Sequence, residues 1–566
     1  MIKAPWNNPL VATSFQIRNR RGGLFMSLTL YTMLLAMGSI AWLYYVKVYL
    51  PTQTGKVLPF DPLMAYFITL YAIQLGLSLL IASTRTAASI KAEVVNKTLD
   101  FQRIAALSPW DIMLGKLFGE AALAFLLIMA TLPFAFICLV MGMPGLSLTT
   151  LFLLYLNLFT TTLMFGSFGL QNTLIIPAGK ATGGGVQGFG LLIGISIAMA
   201  LQLAWVGAAA PGGSWLNKPW SVVLIGLLSP VPSLFGLAQG NPWIAGLAWF
   251  EWHLPFLIIT PLAQLLFTYL CMYSMSRRLD NLAQPVLDKP SCYGFLLAMD
   301  LLAIGVIDSF KMTNLTLAPR VAIFSCLHCL FTLIIMIAAT PSREMLATWV
   351  WRYRHKRPYL MAEWLGDRSM NTLLLITSCL VFLAFAWLMT TLSKDPADHI
   401  QEIHLGAQQT IQRTAAEVVP AALTITCLVI LSMGAVYQMI LIFTNKYGRG
   451  LFFFVAMMAV APPAMLGIYL HSRVFQNVQP QMADNIGFAL SPIIHLFSWL
   501  GIPIAVPKTW PLAIVLGVAT GLALWTNYRM LKRMCCKVDL ILYEEMQVPR
   551  TQATNAAPCP QPTSMA

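Results

Sequence analysis

Long apolar runs alternate with short polar connectors along almost the whole chain. A membrane-spanning helix needs about 20 consecutive, mostly apolar residues. Runs of that kind fall at 24–46, 63–84, 113–141, 146–169, 188–209 and 244–275, and again at 293–310, 321–340, 371–392, 418–443, 451–470 and 510–530. The pattern predicts an all-α polytopic membrane protein of about 12 transmembrane helices. A further apolar run, 220–236, is interrupted by Pro230, Pro232 and Gly236, which predicts a re-entrant or interfacial piece and not a span.

The connector after the second run has its own pattern. Glu93, Asn96, Lys97, Asp100 and Arg103 recur at spacings of three or four and share one helical face, while Ile90, Val94, Val95, Thr98, Phe101 and Ala105 share the other. This predicts an amphipathic helix over 89–107, lying along the membrane surface and stopped at Ser108-Pro109. Such a helix is either an interfacial connector or a place where a soluble partner pushes on the spans.

Composition and charge sharpen this picture. The chain is 58% hydrophobic and 10% charged, with a mean hydropathy of +0.73, more apolar surface than a soluble fold of this size hides. With the N-terminus placed in the cytoplasm, 26 of the 35 lysines and arginines fall in cytoplasmic segments, so the positive-inside rule predicts that both termini are cytoplasmic. The net charge of +14 is then explained by basic loops on an anionic inner leaflet, with no nucleic acid as partner. The expected location is the plasma membrane, in a bacterium the inner membrane.

The chain also repeats. Leu228-Ser229-Pro230 with Leu234-Phe235 returns as Leu490-Ser491-Pro492 with Leu496-Phe497, an offset of 262 residues. Each copy precedes the last span of its half, and the last spans end in Arg277-Arg278 and Lys532-Arg533. The expected architecture is two parallel six-helix repeats, at 1–282 and 283–546, followed by a disordered cytoplasmic tail at 547–566.

The spelling of 93–116 resembles the segment after the second membrane helix in type-2 ATP-binding-cassette (ABC) transporter permeases. The matching residues are Glu93, Thr98-Leu99-Asp100, Leu107-Ser108, Asp111-Ile112 and Gly115-Lys116. The close match covers about two dozen residues. It departs at Ala105-Ala106, where the family often has Thr-Pro. The resemblance implies a permease subunit, an exporter by family habit, driven by separate ABC ATPase subunits, two copies or two kinds. Those partners would bind ATP and Mg, and this chain itself would be neither an enzyme nor a cofactor binder. It also implies that Glu93, Lys97, Thr98, Leu99, Asp100, Phe101, Arg103 and Leu107 form the ATPase-coupling helix. The second large basic loop, Arg343 to Arg368, lacks this spelling; it is either a basic loop on lipid or a diverged second contact.

The remaining chemistry is sparse. Neither Gly179-Lys180-Ala181 nor Gly115-Lys116-Leu117 meets the requirements of a Walker A loop, which needs an earlier glycine and a following hydroxyl to cradle phosphates. The stretch 179–190 is expected to be a flexible turn. Cys326 and Cys329 flank His328 inside a span, where a packed helix face is expected and not a metal site. Ionisable residues within spans are candidates for function. Glu120 and Asp300 are the candidate pathway residues, whereas Asp308, Glu251 and His253 are expected to be structural or near headgroups. An ion- or proton-coupled secondary transporter using Asp300 and Glu120, and an integral membrane enzyme acting on lipids, are the alternatives to the permease.

Overall fold

A computed structural model describes residues 8–45, 62–96, 98, 107–175, 228, 230–238, 241, 243, 246–249, 252–280, 284–309, 317–341, 345–346, 349, 364–366, 371–392, 400–404, 410–443 and 510–547. The helices in chain order are α1 (Pro9–Asn19), α2 (Gly23–Tyr44), α3 (Pro62–Val95), α4 (Pro109–Val140), α5 (Leu148–Ile175), α6 (Val231–Ala238), α7 (Phe256–Asp280), α8 (Lys289–Ser309), α9 (Leu317–Ala339), α10 (Thr372–Leu392), α11 (Ala415–Phe443) and α12 (Trp510–Gln547). Two antiparallel hairpins complete the list: β1 (Gly246–Trp249) with β2 (Trp252–Pro255), and β3 (Ile400–His404) with β4 (Thr410–Thr414). Among the described residues, nine helices are long and apolar enough to cross a membrane, and Ile323–Ala339 of α9 is a shorter apolar stretch. The chain is an all-α polytopic membrane protein. The predicted spans at 188–209 and 451–470 lie outside the described residues, as do the basic run 351–358 and the tail beyond 547.

The chain forms two compact units, Met1–Leu282 with Gly305–Leu315, and Ala283–Ile304 with Thr316–Ala566. In the first, α5 packs against both α3 and α7, and α3 against α4. The contact is close because its residues are small. A Cβ on Gly169 of α5 would stand 2.5 Å from the Ser83 carbonyl oxygen of α3, and one on Gly166 would stand 2.7 Å from Leu117 Cδ1 of α4. Van der Waals contact of this kind holds helices together where lipid removes the hydrophobic driving force. Phe67, Tyr71, Leu154, Leu158 and Leu257 fill the space between the helices. α2 has no buried residue and is apolar all round, as a lipid-facing helix is. In the second unit α11 is central and packs on α9, α10 and α12.

Two predicted elements differ from the structure. The apolar run 244–275 is not one helix: its first part is the β1–β2 hairpin, and α7 begins only at Phe256. Pro255 disfavours helix at the residue before it, and Trp249 and Trp252 suit strands. His253 therefore sits on β2 and not within a span, while Glu251 lies outside the described residues. The second difference is at Glu93. α3 runs on past the predicted end of span two at 84 to Val95, because no glycine or proline interrupts 77–108 and extending a helix costs less than nucleating one. Glu93 is thus on the last turn of a spanning helix and not on a separate surface helix.

Candidate functional site

Five of the residues that carry the resemblance build a single junction. Ser108 is the N-cap of α4 in extended conformation, with Pro109 at the first helical position. Its Oγ accepts the Asp111 N–H at 3.1 Å and donates to Asp111 Oδ2 at 2.8 Å, a reciprocal cap that also sets a negative charge at the helix N-terminus. Lys116, two turns further along, forms an ion pair with Glu93 on the last turn of α3, and both side chains are largely buried. The pair ties the end of one span to the start of the next.

Gly115 and Gly119 open the side of α4 to the N-terminal helix. A Cβ on Gly115 would lie 2.6 Å from Leu10 Cβ, and one on Gly119 2.9 Å from Ser14 Cβ. Asn8 caps α1, its Oδ1 accepting the Leu10 N–H at 2.9 Å, and its Nδ2 donates to the Asp111 carbonyl oxygen at 2.6 Å. The apolar side of the junction joins Leu107, Trp110 and Leu114 to Ile90, Met272, Met275 and Leu279, and Trp110 stacks on Tyr269 of α7 at 6.0 Å. α1 and the ends of α3, α4 and α7 therefore meet in one packed block. Gly115→Leu is expected to expel α1 from α4 and to cost about 1–3 kcal/mol, the usual range for overpacking. The check is faster proteolysis within α1 together with a lower unfolding temperature in detergent.

Of the other predicted coupling residues, Thr98 is exposed, its hydroxyl donating to the Glu93 carbonyl oxygen at 3.4 Å, and Leu107 packs into the junction. Lys97, Leu99, Asp100, Phe101 and Arg103 lie outside the described residues. Glu120 is half-buried on α4, about three turns past its start.

Asp300 has a partner that sequence proximity did not suggest. Its two carboxylate oxygens lie 3.0 and 2.9 Å from His328 Nδ1. His328 Nε2 is 3.1 Å from Ser378 Oγ, and Ser378 Oγ is 2.7 Å from Thr332 Oγ1. Asp300, His328 and Ser378 are fully buried and Thr332 is 3% exposed. Phe324 and Phe382 wall the imidazole, with ring centroids at 6.0 and 5.0 Å. Three helices, α8, α9 and α10, each contribute to this chain. The signal for His328 was its place inside a span between two cysteines; its ring turns to the carboxylate, while Cys329 packs in an apolar cluster with Met336 and Leu375.

The chain matches no protein-family model, no curated protein and no solved structure. The architecture defines its class as a multi-pass helical membrane protein.

Proposed function

We propose that this chain is the transmembrane permease subunit of an ABC exporter, driven by separate ATPase subunits that bind ATP and Mg. The observation that carries the proposal is the convergence of Glu93, Ser108, Asp111, Gly115 and Lys116 on one junction. Residues separated along the sequence serve a single mechanical purpose, clamping the start of α4 to the end of α3 and to α1. A partner pressing on the connector between α3 and α4 moves the two spans as one rigid body, which is what conversion of ATPase closure into helix tilting requires. Two six-helix repeats in one polypeptide would supply the whole pathway, and the absence of a phosphate-cradling loop from the sequence fits a motor on another chain. The experiment is reconstitution in vesicles of the chain with the ATPase that co-purifies with it, where export must depend on ATP hydrolysis and the absence of any co-purifying ATPase counts against the reading.

The proposed location is the plasma membrane with both termini cytoplasmic. Single cysteines placed at 97 or 354 are expected to resist an impermeant maleimide added outside intact cells, and cysteines within 395–415 to react. Labelling at 97 or 354 from outside contradicts this orientation.

A further inference from the structure

The second unit holds a closed chain of buried polar groups that ATP-driven tilting does not use. We propose that Asp300, His328, Ser378 and Thr332 form an intramembrane proton-binding site, and that its occupancy sets how firmly α8 seats on α9 and α10. The proposal is independent of the ATP-driven mechanism above.

Position is the first argument. At about 1.5 Å per residue, Asp300 lies about 16 Å along α8 from Lys289, and His328 about 16 Å along α9 from Ala339. Both are near the middle of a hydrocarbon core roughly 30 Å thick. An ionisable residue there is costly and is retained where it is paired or used. The same pair is also a fastener. Leu287, just before α8, donates its N–H to the Ala338 carbonyl at 3.1 Å, and α8 itself is joined to α9 by Cys292 Sγ to the Ile335 carbonyl at 3.9 Å and, furthest along, by Asp300 to His328.

Charge is the second argument. With one proton shared between carboxylate and imidazole, the pair carries no net charge. Losing that proton leaves one negative charge in a dry site, and gaining another leaves one positive charge; either is costly without water. Ser378 suits both the neutral and the deprotonated forms. It accepts from Nε2–H of an imidazolium while donating to Thr332, or it donates to Nε2 of a neutral imidazole. Proton loss therefore breaks no hydrogen bond but requires the site to admit water. The closed, dry packing holds the proton on the pair, and opening, which admits water, lets the pair release it. The closed form binds more protons, so raising the pH shifts the balance toward opening.

Little else on these helices competes for that role. The other titratable groups are Cys292 and Tyr293 on α8, Cys326 and Cys329 on α9, Cys379 on α10, and Cys427 and Tyr437 on α11, none of them charged near neutral pH. Lys289, Asp308 and Arg320 stand two or more turns along their helices from the pair, and Glu417 is in the first turn of α11. The order carboxylate, imidazole, hydroxyl also matches a nucleophilic triad. Ser378, however, is within a helix whose N–H groups bond along the helix, is fully buried, and is already bonded to Thr332. An acyl substrate has neither access nor an oxyanion hole there.

The test is hydrogen–deuterium exchange of the full chain in lipid nanodiscs between about pH 5 and 8, corrected for the intrinsic pH dependence of exchange. Protection of α8 in the wild type is expected to fall as the pH rises through this range, approaching about tenfold per pH unit for one linked proton. Asp300→Asn, which keeps the shape and an acceptor, is expected to remove that slope. The exchanged pair Asp300→His with His328→Asp is expected to restore it, which a purely structural contact does not predict. A wild-type slope of zero, or a slope that persists in Asp300→Asn, overturns the proposal. Labelling of Ser378 by a fluorophosphonate overturns it in favour of a nucleophilic site.

Discussion

Reversing Glu93 to lysine is expected, on the proposed permease function, to lower ATP-driven transport by about tenfold or more while leaving the chain folded in the membrane. The substitution replaces the Glu93–Lys116 pair with two like charges at a largely buried position. The end of α3 and the start of α4 then lose the ion pair that ties them together, within a block whose apolar packing remains. Energetic coupling between sites is typically worth about 1–3 kcal/mol, roughly 5–150-fold, so loss of the rigid link removes most of the useful work. ATP hydrolysis by the partner is expected to continue, no longer coupled. Adding Lys116→Glu re-forms an opposite-charge pair and is expected to recover a large part of transport, because the neighbouring cap, Ser108 with Asp111, is untouched. Charge reversal at Asp100, on the connector itself, is expected to uncouple without rescue by any change at Lys116. Normal transport and normal ATPase stimulation in the double variant Glu93→Lys with Asp100→Lys would remove this segment from the mechanism.

The second large effect is on stability. Asp300→Leu is expected to destabilise the second unit by about 3–5 kcal/mol, the usual result of removing one partner from a buried ion pair. His328 would be left between Phe324 and Phe382 with its Nδ1 facing an apolar side chain. His328→Leu alone is expected to cost a similar amount, since it strands the carboxylate. The double variant Asp300→Leu with His328→Leu is expected to be more stable than either single variant, because apolar replacement of a whole buried pair is often neutral or favourable. Thermal unfolding of the four proteins in detergent gives the coupling directly. Strict additivity would mean that the two side chains do not interact.

The spans were legible because their apolar runs are long and bounded by charge, and α10 and α11 fall where hydropathy places them. The β1–β2 hairpin was not legible, since Leu247, Ala248, Trp249 and Trp252 are equally apolar in strand or helix, and Pro255 marks a break without showing that the residues before it pair as strands. The junction was half visible. Ser108-Pro109 and Asp111 announce a helix start locally, but the bond from Asn8 to Asp111 joins residues 103 apart in sequence. Asp300 stood out as a carboxylate within a span. His328 and Ser378 lie 28 residues from Asp300 and 50 from His328, respectively, and only tertiary packing brings the three helices together. A serine in a span carries little sequence signal, because it satisfies itself on its own helix as readily as on another.

The most direct measurement of the central claim is the mass of the solubilised complex purified through a tag on this chain. One copy of this chain with two ATPase subunits is the predicted composition. ATPases of one kind or of two kinds both satisfy it. Two copies of this chain around a shared pathway would contradict the repeat, and a chain that transports while carrying no ATPase would contradict the permease assignment itself.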